Sequence, residues 1–254
     1  ELNFNLWQYC MFRREKSLVL TDLPDKIRQV NTCEITNRKE YMDAERDLIM
    51  YLQKYKDADD DKIEKALRGE VMVRINILRQ ICARGKVRDV IEFVKDFREN
   101  GKKIILFCSL HEVVDQLKRY FPTAVSVTGR DSQDEKQRAV DAFQNNPKAD
   151  IIICSIKAAG VGLTLTASSN VAFVEFPSTY ADCCQCEDRA HRIGQKDSVT
   201  CYYFLGRRTI DEKVYRIIQE KKNIANAVTG STEDIEENIV DMVARIFDTD
   251  YDDE

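Results

Sequence analysis

The chain has 254 residues, enough for one large domain or two small ones with a hydrophobic core. Charged residues make up 33% of it and hydrophobic residues 43%, and the formal net charge is -5, which excludes nucleic-acid binding through overall positive charge. Any nucleic-acid site must therefore be local. No apolar run approaches the roughly 18 residues of a membrane-spanning helix, so no membrane partner is expected. The chain begins at Glu1 rather than Met, and we expect it to be a piece of a longer protein.

Nine cysteines at irregular spacing argue against a disulfide framework and predict a reducing compartment, the cytoplasm of a prokaryote or the nucleus of a eukaryote. Their only cluster comprises Cys183, Cys184 and Cys186. A zinc site would need a second pair of ligands, and the chain has only His111 and His191 as histidines. We therefore expect no metal site and interpret the clustered cysteines as small buried apolar side chains.

Residues 1–84 are predicted to be a mostly helical segment that precedes the main domain. Asn37–Tyr55 carries apolar residues at helical spacing, and an acidic break follows at Asp57–Asp61. A second helix is predicted from Ile63 to Cys82, and Gly85 is expected to stop it.

Residues 85–229 alternate helices with short apolar strands, which predicts an α/β fold with a doubly wound parallel sheet. The predicted strands are Ile104–Cys108, Ala124–Val127, Asp150–Cys154, Val171–Phe176 and Val199–Leu205. The predicted helices are Val87–Phe97, Glu112–Phe121, one capped by Ser132 with Glu135, and one capped by Thr209 with Glu212. Residues 230–254 are acidic, and an amphipathic helix is predicted there before the tail ends.

The stretch Gln185–Gln195, which reads Q-C-E-D-R-A-H-R-I-G-Q, is the strongest candidate for chemistry. In a helix, Gln185, Arg189 and Arg192 would share one face, and Asp188 would lie at ion-pair spacing before Arg192. Two guanidinium groups and an amide on one face suit a clamp for phosphate oxygens. On charge pattern alone, the solvated face of a surface helix is the favoured interpretation.

The ending D-R-A-H-R-I-G-Q resembles the last helicase motif of the Swi/Snf family of DNA translocases, in helicase superfamily two. In that family two arginines act as fingers that reach the γ-phosphate of ATP bound on a facing lobe. The resemblance implies that Arg189 and Arg192 are those fingers, that Gln185 is the leading glutamine, and that Asp188 belongs to the nucleotide site. It also implies a RecA-like second helicase lobe.

The segment Ser155–Thr166, S-I-K-A-A-G-V-G-L-T-L-T, directly follows a predicted strand, where glycines allow a backbone to approach a ligand. A tight strand-to-helix loop without a ligand explains the glycines as well. The segment resembles the fifth motif of the family. That resemblance implies that Ser155 and Lys157 face DNA phosphates and that Gly162 and Thr164 lie toward the nucleotide.

Thr128–Arg138, T-G-R-D-S-Q-D-E-K-Q-R, resembles another segment on the DNA side of the family. The resemblance implies DNA contacts by Gly129 and Arg130, although a solvated side chain also explains Arg130. Ser109 closes a strand that resembles the fourth motif and is assigned to the DNA side, whereas the neighbouring His111 is interpreted as a surface residue.

Two departures from the family pattern stand out. Ala159-Gly160 occupies a place where two adjacent glycines are more common, which resembles the annealing-helicase branch. Ser178 and Tyr180 occupy the usual places of a tryptophan and a proline, so the conformation of that loop does not follow from the resemblance.

The segments Phe12–Lys26 and Leu78–Cys82 resemble the stretches that lead from the first lobe to the second.

No G-x-x-x-x-G-K-[ST] phosphate loop occurs in the sequence. In the family, ATP and Mg²⁺ are bound mainly by the first lobe, which this chain does not resemble. We therefore predict the C-terminal lobe of a DNA-dependent ATPase that is inactive alone. Its expected partners are double-stranded DNA, the N-terminal lobe of the same protein, and a protein bound by the acidic tail. Two alternatives remain: an RNA helicase lobe, and a catalytically idle interaction module with the same fold.

Overall fold

The computed structural model describes residues 19–20, 22–57, 61–158, 162–177, 179–227, 243–244 and 247. Among these residues, no helix is long and apolar enough to cross a bilayer. The described strands are β1 Lys26–Cys33, β2 Ile104–Cys108, β3 Val125–Val127, β4 Ile151–Ser155, β5 Asn170–Phe173 and β6 Val199–Gly206. The described helices are α1 Arg38–Lys56, α2 Asp61–Glu99, α3 His111–Tyr120, α4 Gln133–Asn145, α5 Tyr180–Glu187 and α6 Ile210–Ala227.

The six described strands form one parallel sheet in the order β1-β6-β5-β2-β4-β3. The central strands β2 and β4 are buried along their whole length. Their continuous apolar sequences suit strands that helices cover on both faces. The predicted α/β fold with a doubly wound parallel sheet is therefore confirmed.

Side chains of β2 alternate between two cores, as the period of a strand requires. Ile105 and Phe107 pack in one core with α1, the first half of α2, α4 and α6. Ile104 and Leu106 pack in the other with α3 and the second half of α2. The long helix α2 therefore contributes to both faces of the sheet.

Strand β1 was missed, since residues 1–84 were predicted to be mostly helical. It pairs with β6 from Lys26 opposite Val199 to Cys33 opposite Gly206. Only Cys33 of this strand is buried. Backbone hydrogen bonds along the sheet edge, rather than apolar burial, hold β1 in place, so its sequence carries no hydrophobic alternation.

The expectation that Gly85 stops a helix is wrong, because α2 runs through it without a break. A Cβ atom at this position would lie 2.2 Å from Oδ1 of Asn37 and 2.8 Å from Cβ of Ile35. The Gly85 carbonyl accepts a hydrogen bond of 3.1 Å from the amide of Thr36. The glycine therefore permits a close approach between α2 and the segment after β1.

One predicted helix cap is confirmed in full and the other in part. Ser132 and Glu135 form the capping box of α4 in both directions. At α6, the Thr209 hydroxyl caps the helix as predicted, since it accepts from the Asp211 amide at 3.2 Å while donating to the Gly206 carbonyl. The Glu212 carboxylate differs, because it accepts from the Arg208 amide at 3.1 Å rather than from the amide of Thr209. Arg208, just before this cap, takes a left-handed conformation with φ of 51°.

Several predictions concern residues outside the described ranges. They include the pair Ala159-Gly160, the position Ser178 and most of residues 230–254. In that last segment Val243, Ala244 and Phe247 are described, and all three are buried. The Lys213 ammonium lies 3.5 Å from the centre of the Phe247 ring.

Candidate functional site

A cavity of about 530 Å³ opens at the carboxyl edge of the sheet. Four residues predicted to bind DNA line it: Ser109, Gly129, Ser155 and Lys157. They follow β2, β3 and β4, and the carboxyl ends of parallel strands meet at one edge. The topology therefore gathers these four residues from three separate segments of the chain.

Arg130, which was predicted with this group, does not line the cavity. Its guanidinium forms an exposed ion pair of 3.0 Å with Asp115 of α3. Exposed pairs of this kind contribute little stability, so the Arg130 side chain is easily released.

The opposite wall of the cavity comes from helix α2, and the sequence interpretation missed it. Asn76, Arg79 and Gln80 line the cavity there. Spacing of three and four residues places them on one face of the helix. The signal was present in the apolar pattern, because Ile75 and Leu78 are buried and leave polar positions on the outer face. Arg79 also donates to the carbonyl of Phe176, in the loop after β5.

The cavity also contains a carboxylate that was not predicted, that of Glu175. Its Oε1 accepts hydrogen bonds of 2.8 Å from the amides of Ser109 and Leu110. Leu110 has no side-chain cap of its own, so Glu175 serves as the N-terminal cap of α3. The Ser109 amide is therefore occupied, and its hydroxyl is the group left for a ligand.

The two remaining cavity residues of the fifth-motif segment differ in exposure. Ser155 is buried, and its hydroxyl accepts from the amide of Ala158 at 3.2 Å. Lys157 is exposed two residues later. Ser155 shapes the loop, whereas Lys157 presents a positive charge at the cavity.

The arginine-bearing stretch is not one helix. Helix α5 ends at Glu187, and Asp188 is its C-cap. Arg189 and Arg192 lie beyond this end in a turn, whereas Gln185 is exposed on the helix. The expectation that all three share a helix face is therefore wrong.

We call residues 188–192 the arginine turn. Its first residue does not pair with Arg192 as expected, because the Asp188 carboxylate lies 3.3 Å from the Lys26 ammonium of β1. The amides of Ala190 and His191 both bond to the carbonyl of Glu187. The Ala190 bond reaches only three residues back, as in the tightened turn that commonly ends a helix.

The arginine turn meets the fifth-motif segment. The Arg192 guanidinium lies 3.3 Å from the Thr164 hydroxyl and 3.5 Å from the Leu163 carbonyl. The Leu165 amide donates to the Arg189 carbonyl at 2.8 Å. Nε of Arg189 is buried and, among the described residues, has no hydrogen-bond partner. The structure thus brings Arg189, Arg192 and Thr164 together.

Three other residues shape this region. Gly162 has φ of 20° at the start of the described part of the loop, and Gly194 has φ of 99° just after the arginine turn, a conformation that favours glycine. The Gln195 side chain is buried and donates to the carbonyls of Ser168 and Ala190 at 3.0 and 3.2 Å. Gly194 and Gln195 therefore fix the conformation of the chain after the arginine turn.

Beneath the turn lies a buried charge cluster, which the sequence interpretation also missed. The Glu187 side chain is 0% exposed. Its carboxylate accepts from Nε and Nη2 of Arg28 at 2.6 Å each, from the Lys26 ammonium at 2.8 Å, and from the Tyr203 hydroxyl at 2.5 Å. Burial alone would raise the pKa of Glu187, but Arg28 and Lys26 outweigh burial and lower it. The carboxylate is therefore ionised at neutral pH.

The clustered cysteines flank this site. Cys183 and Cys186 are buried as expected, whereas Cys184 is half-buried and lies 3.8 Å from Nη2 of Arg28. Burial raises the pKa of Cys186 to about 12, so its thiol is uncharged at neutral pH. Within the described part of the chain, no group of three or more His, Cys, Asp or Glu residues is arranged to hold a metal ion.

Comparison with known proteins places this architecture. Residues 85–194 match the helicase conserved C-terminal domain. A Caenorhabditis elegans homolog of SWI/SNF-related matrix-associated actin-dependent regulator of chromatin subfamily A-like protein 1 is 31% identical over 242 residues, covering 92% of this chain and 34% of that protein. The human DNA annealing helicase and endonuclease ZRANB3 is 30% identical over 232 residues, covering 87% of this chain and 20% of that protein. The chain thus spans about a third or less of the length of these relatives.

Solved structures share the fold. The C-terminal part of the Fun30 ATPase domain superposes with a TM-score of 0.67 at 17% identity, covering 88% of this chain and 99% of that one. The Sulfolobus solfataricus SWI2/SNF2 ATPase core in complex with dsDNA gives 0.64 at 21% identity, covering 92% of this chain and 51% of that one. The chain therefore contains a helicase conserved C-terminal domain, shares the RecA-like fold of SNF2 ATPase C-terminal lobes, and is similar in sequence to the SWI/SNF-related and annealing-helicase proteins.

Proposed function

We propose that this lobe belongs to an ATP-dependent double-stranded DNA translocase. In this proposal the arginine turn completes an ATP site on the first lobe, and the cavity at the carboxyl edge holds the DNA backbone. Residues 1–84 lead out of the first lobe, residues 85–229 form the second lobe, and residues 230–254 form a tail that binds a protein partner. The observation that carries the proposal is the meeting of Arg189, Arg192 and Thr164 at one end of the fifth-motif segment.

The arginine turn suits a phosphate group. The buried Nε of Arg189 lacks a hydrogen-bond partner in the described structure. A desolvated donor of this kind costs free energy, and an incoming phosphate oxygen would recover that cost. Arg192 is exposed and holds only long hydrogen bonds, of 3.3 and 3.5 Å. Both guanidinium groups are therefore available to stabilise the negative charge that develops when a phosphoryl group is transferred.

The remaining nucleotide-side residues have supporting roles in this proposal. Thr164 and Gly162 line the approach to the nucleotide, and Asp188 and Gln185 flank the two fingers. ATP with Mg²⁺ would be bound mainly by the first lobe, and the metal would neutralise charge on the phosphates. Since the chain has no phosphate loop, we expect no ATP hydrolysis by this lobe alone.

The carboxyl-edge cavity suits a nucleic-acid backbone. Lys157 supplies an exposed cation, and Ser109 and Ser155 supply hydroxyl groups beside it. The glycine at position 129 leaves room for a backbone to come close, and Arg130 can leave Asp115 for a neighbouring phosphate. Contacts of these kinds position DNA without reading its sequence. The related Sulfolobus core was solved with dsDNA, which supports duplex DNA as the ligand.

The two sites are connected along the chain. Ser155 and Lys157 stand at the cavity, and Thr164 stands at the arginine turn. The short segment between them therefore offers a direct route by which DNA contact is coupled to ATP hydrolysis. Opening and closing of the two lobes would then move this lobe along one DNA strand.

The test uses the intact two-lobed protein, as wild type and as Arg189→Ala. ATP hydrolysis is measured without nucleic acid, with duplex DNA and with RNA. We expect stimulation by duplex DNA, and a loss of at least about a thousandfold in turnover for Arg189→Ala with DNA affinity unchanged. Stimulation by RNA alone would instead support an RNA helicase lobe. Absence of hydrolysis in the wild type would support an idle interaction module.

A further inference from the structure

The arginine turn is attached to strand β1, the strand through which the chain enters this lobe. We propose that Lys26 and Glu187 make β1 and the arginine turn move as one body, so that the entering segment positions the two arginines. Resting on the function proposed above, this assigns Lys26 and Glu187 as positioning residues for the catalytic fingers.

Glu187 is the first half of the attachment. It is the last residue of α5 and directly precedes the arginine turn. Three of its four hydrogen bonds come from β1, two from Arg28 and one from Lys26, and the fourth comes from Tyr203 of β6. A fully buried carboxylate with four donors has little freedom to move, because losing any donor leaves buried charge unsatisfied.

Lys26 is the second half, because it bridges the helix end and the turn. Its ammonium lies 2.8 Å from Glu187 and 3.3 Å from Asp188, the first residue of the arginine turn. Burial alone would lower the pKa of Lys26, but Glu187 outweighs burial and raises it. The bridge is therefore charged on both sides at neutral pH.

The far end of the arginine turn is also held by the entering segment. Nε2 of His191 lies 2.7 Å from the carbonyl of Pro24, a distance at which the imidazole N–H donates to that carbonyl. A small cavity of about 220 Å³ separates Leu20 and Leu23 from Ile193 and Gly194. The turn is therefore fastened at both ends to residues that precede or begin β1.

The composition of β1 fits this role better than a role in the core. Only its last residue is buried, and Ile27 and Val30 are exposed. Its two long cations are directed at Glu187, with Lys26 and Arg28 side chains only 18% and 23% exposed. A strand held by the sheet edge and by these ion pairs transmits a displacement of the entering segment to Arg189 and Arg192.

The test compares two variants of the intact two-lobed protein that each remove one donor to Glu187. Lys26→Met removes one of the three hydrogen bonds from β1 together with the bridge to Asp188, and the matched control Tyr203→Phe removes the single hydrogen bond from β6. We expect Lys26→Met to lower DNA-stimulated kcat about tenfold or more, since a misplacement of about 1 Å costs up to a hundredfold. The KM for ATP and the Kd for duplex DNA should stay unchanged. Tyr203→Phe should remain within about twofold of wild type, because it leaves the tie to β1 intact.

Two further readouts separate positioning from loss of structure. Lys26→Arg, which restores the charge, should recover most of the lost kcat. Binding of ADP with aluminium fluoride, which mimics the transferring phosphoryl group, should weaken in Lys26→Met while binding of ADP alone stays unchanged. Thermal unfolding of each variant shows whether the lobe remains folded.

Equal losses of kcat in Lys26→Met and Tyr203→Phe, or an unchanged kcat in Lys26→Met, would overturn the inference. Arg189→Ala, measured alongside, tests the proposed function separately. If Arg189→Ala abolishes turnover and Lys26→Met does not affect it, only the positioning role fails. If Arg189→Ala itself leaves turnover unchanged, the finger assignment fails and the positioning role fails with it.

Discussion

The carboxyl-edge cavity and the arginine turn are built in contrasting ways. The cavity is lined by strand-end residues whose positions follow from the sheet, and its cation, Lys157, is exposed. The arginine turn stands on a fully buried carboxylate, Glu187, with four hydrogen bonds. A flexible point charge is sufficient to follow a DNA backbone, whereas a finger that acts on a transferring phosphoryl group must be held in place. One lobe therefore combines an adaptable surface with a rigid one.

The largest effect is expected when an arginine of the turn is replaced by lysine, compared with the same replacement at the exposed Arg130. Arg192→Lys keeps the charge of the turn but removes the planar guanidinium fork. We expect turnover of the intact protein to fall at least about a hundredfold, less than the roughly thousandfold or greater effect of losing a complete arginine finger, because the charge is kept. The matched change Arg130→Lys, at the exposed pair with Asp115, should stay within about twofold of wild type. Steady-state ATP hydrolysis with saturating duplex DNA measures both, and equal losses would remove the contrast.

The second prediction compares the two buried or half-buried carboxylates in stability. Glu187→Gln leaves Lys26 and Arg28 without their anion, and we expect a loss of about 3 kcal/mol, near the lower end for broken buried pairs. The low end applies because those two side chains keep 18% and 23% exposure. Glu175→Gln still offers an oxygen to the amides it caps and should cost less than about 1.5 kcal/mol. Denaturant unfolding of this lobe measures both changes, and a larger cost for Glu175→Gln would contradict the account.

The stability difference between wild type and Glu187→Gln is also expected to depend on pH. The pKa of Glu187 in the folded state lies below 4.5, so its contribution is present above that value and is lost as the pH falls through the folded pKa. The pKa of Lys26 lies above 10.5, so its contribution is present below that value and is lost as the pH rises through the folded pKa. The stability gap between wild type and Glu187→Gln should therefore be constant across neutral pH and narrow under acid. A gap that widens under acid would show that Glu187 is not ionised in the folded lobe.

A smaller effect is expected from the cation of the cavity. Lys157→Ala should weaken binding of duplex DNA about tenfold at low salt, uniformly across sequences, and lower the salt slope by about one phosphate contact. The exposed Lys148, after α4, provides a matched control. Fluorescence anisotropy over a salt series measures both variants. An unchanged slope for Lys157→Ala would show that this lysine does not meet a phosphate.

The smallest effect concerns the helical wall of the cavity. Gln80→Glu adds a negative charge at a position that lines the cavity, and we expect a loss of about threefold in DNA affinity. Gln29→Glu adds the same charge to an exposed position of β1. This strand is separated from the cavity strands β2, β4 and β3 by β6 and β5, so the variant should have no effect. Equal effects of the two variants would show that α2 lies away from the DNA.

The contrast between the cavity and the arginine turn also explains how much of the structure could be predicted from the sequence. The apolar runs of β2 and β4 predicted the sheet, because strands buried on both faces need continuous apolar sequence. The cavity followed from the sheet, since Ser109, Gly129 and Ser155 come at or just after strand ends. Strand β1 did not follow, because its eight residues pair through the backbone and bury one side chain. The sequence pattern therefore predicted the elements whose side chains are buried. It did not predict a strand that is held mainly by backbone pairing.

Local sequence pattern could not predict which residues hold the arginine turn in place. Arg28 and Glu187 are separated by 159 positions, and no spacing rule connects them. Residues 185–195 were interpreted as one helix, but α5 ends at Glu187, and the Arg189 carbonyl beyond that end accepts from the Leu165 amide. The residues that carry the family resemblance identified Arg189 and Arg192 as candidate arginine fingers. Only the tertiary structure reveals what holds the turn.

The most direct test of two separate sites in one lobe measures kcat and DNA affinity together in the intact protein. Wild type, Arg192→Ala and Lys157→Ala are compared with duplex DNA at fixed salt. We expect Arg192→Ala to abolish DNA-stimulated hydrolysis and leave the Kd for DNA unchanged, whereas Lys157→Ala should weaken DNA binding and retain kcat at saturating DNA. If Arg192→Ala weakened DNA binding instead and retained kcat, the assignment of the arginine turn to the nucleotide would be contradicted.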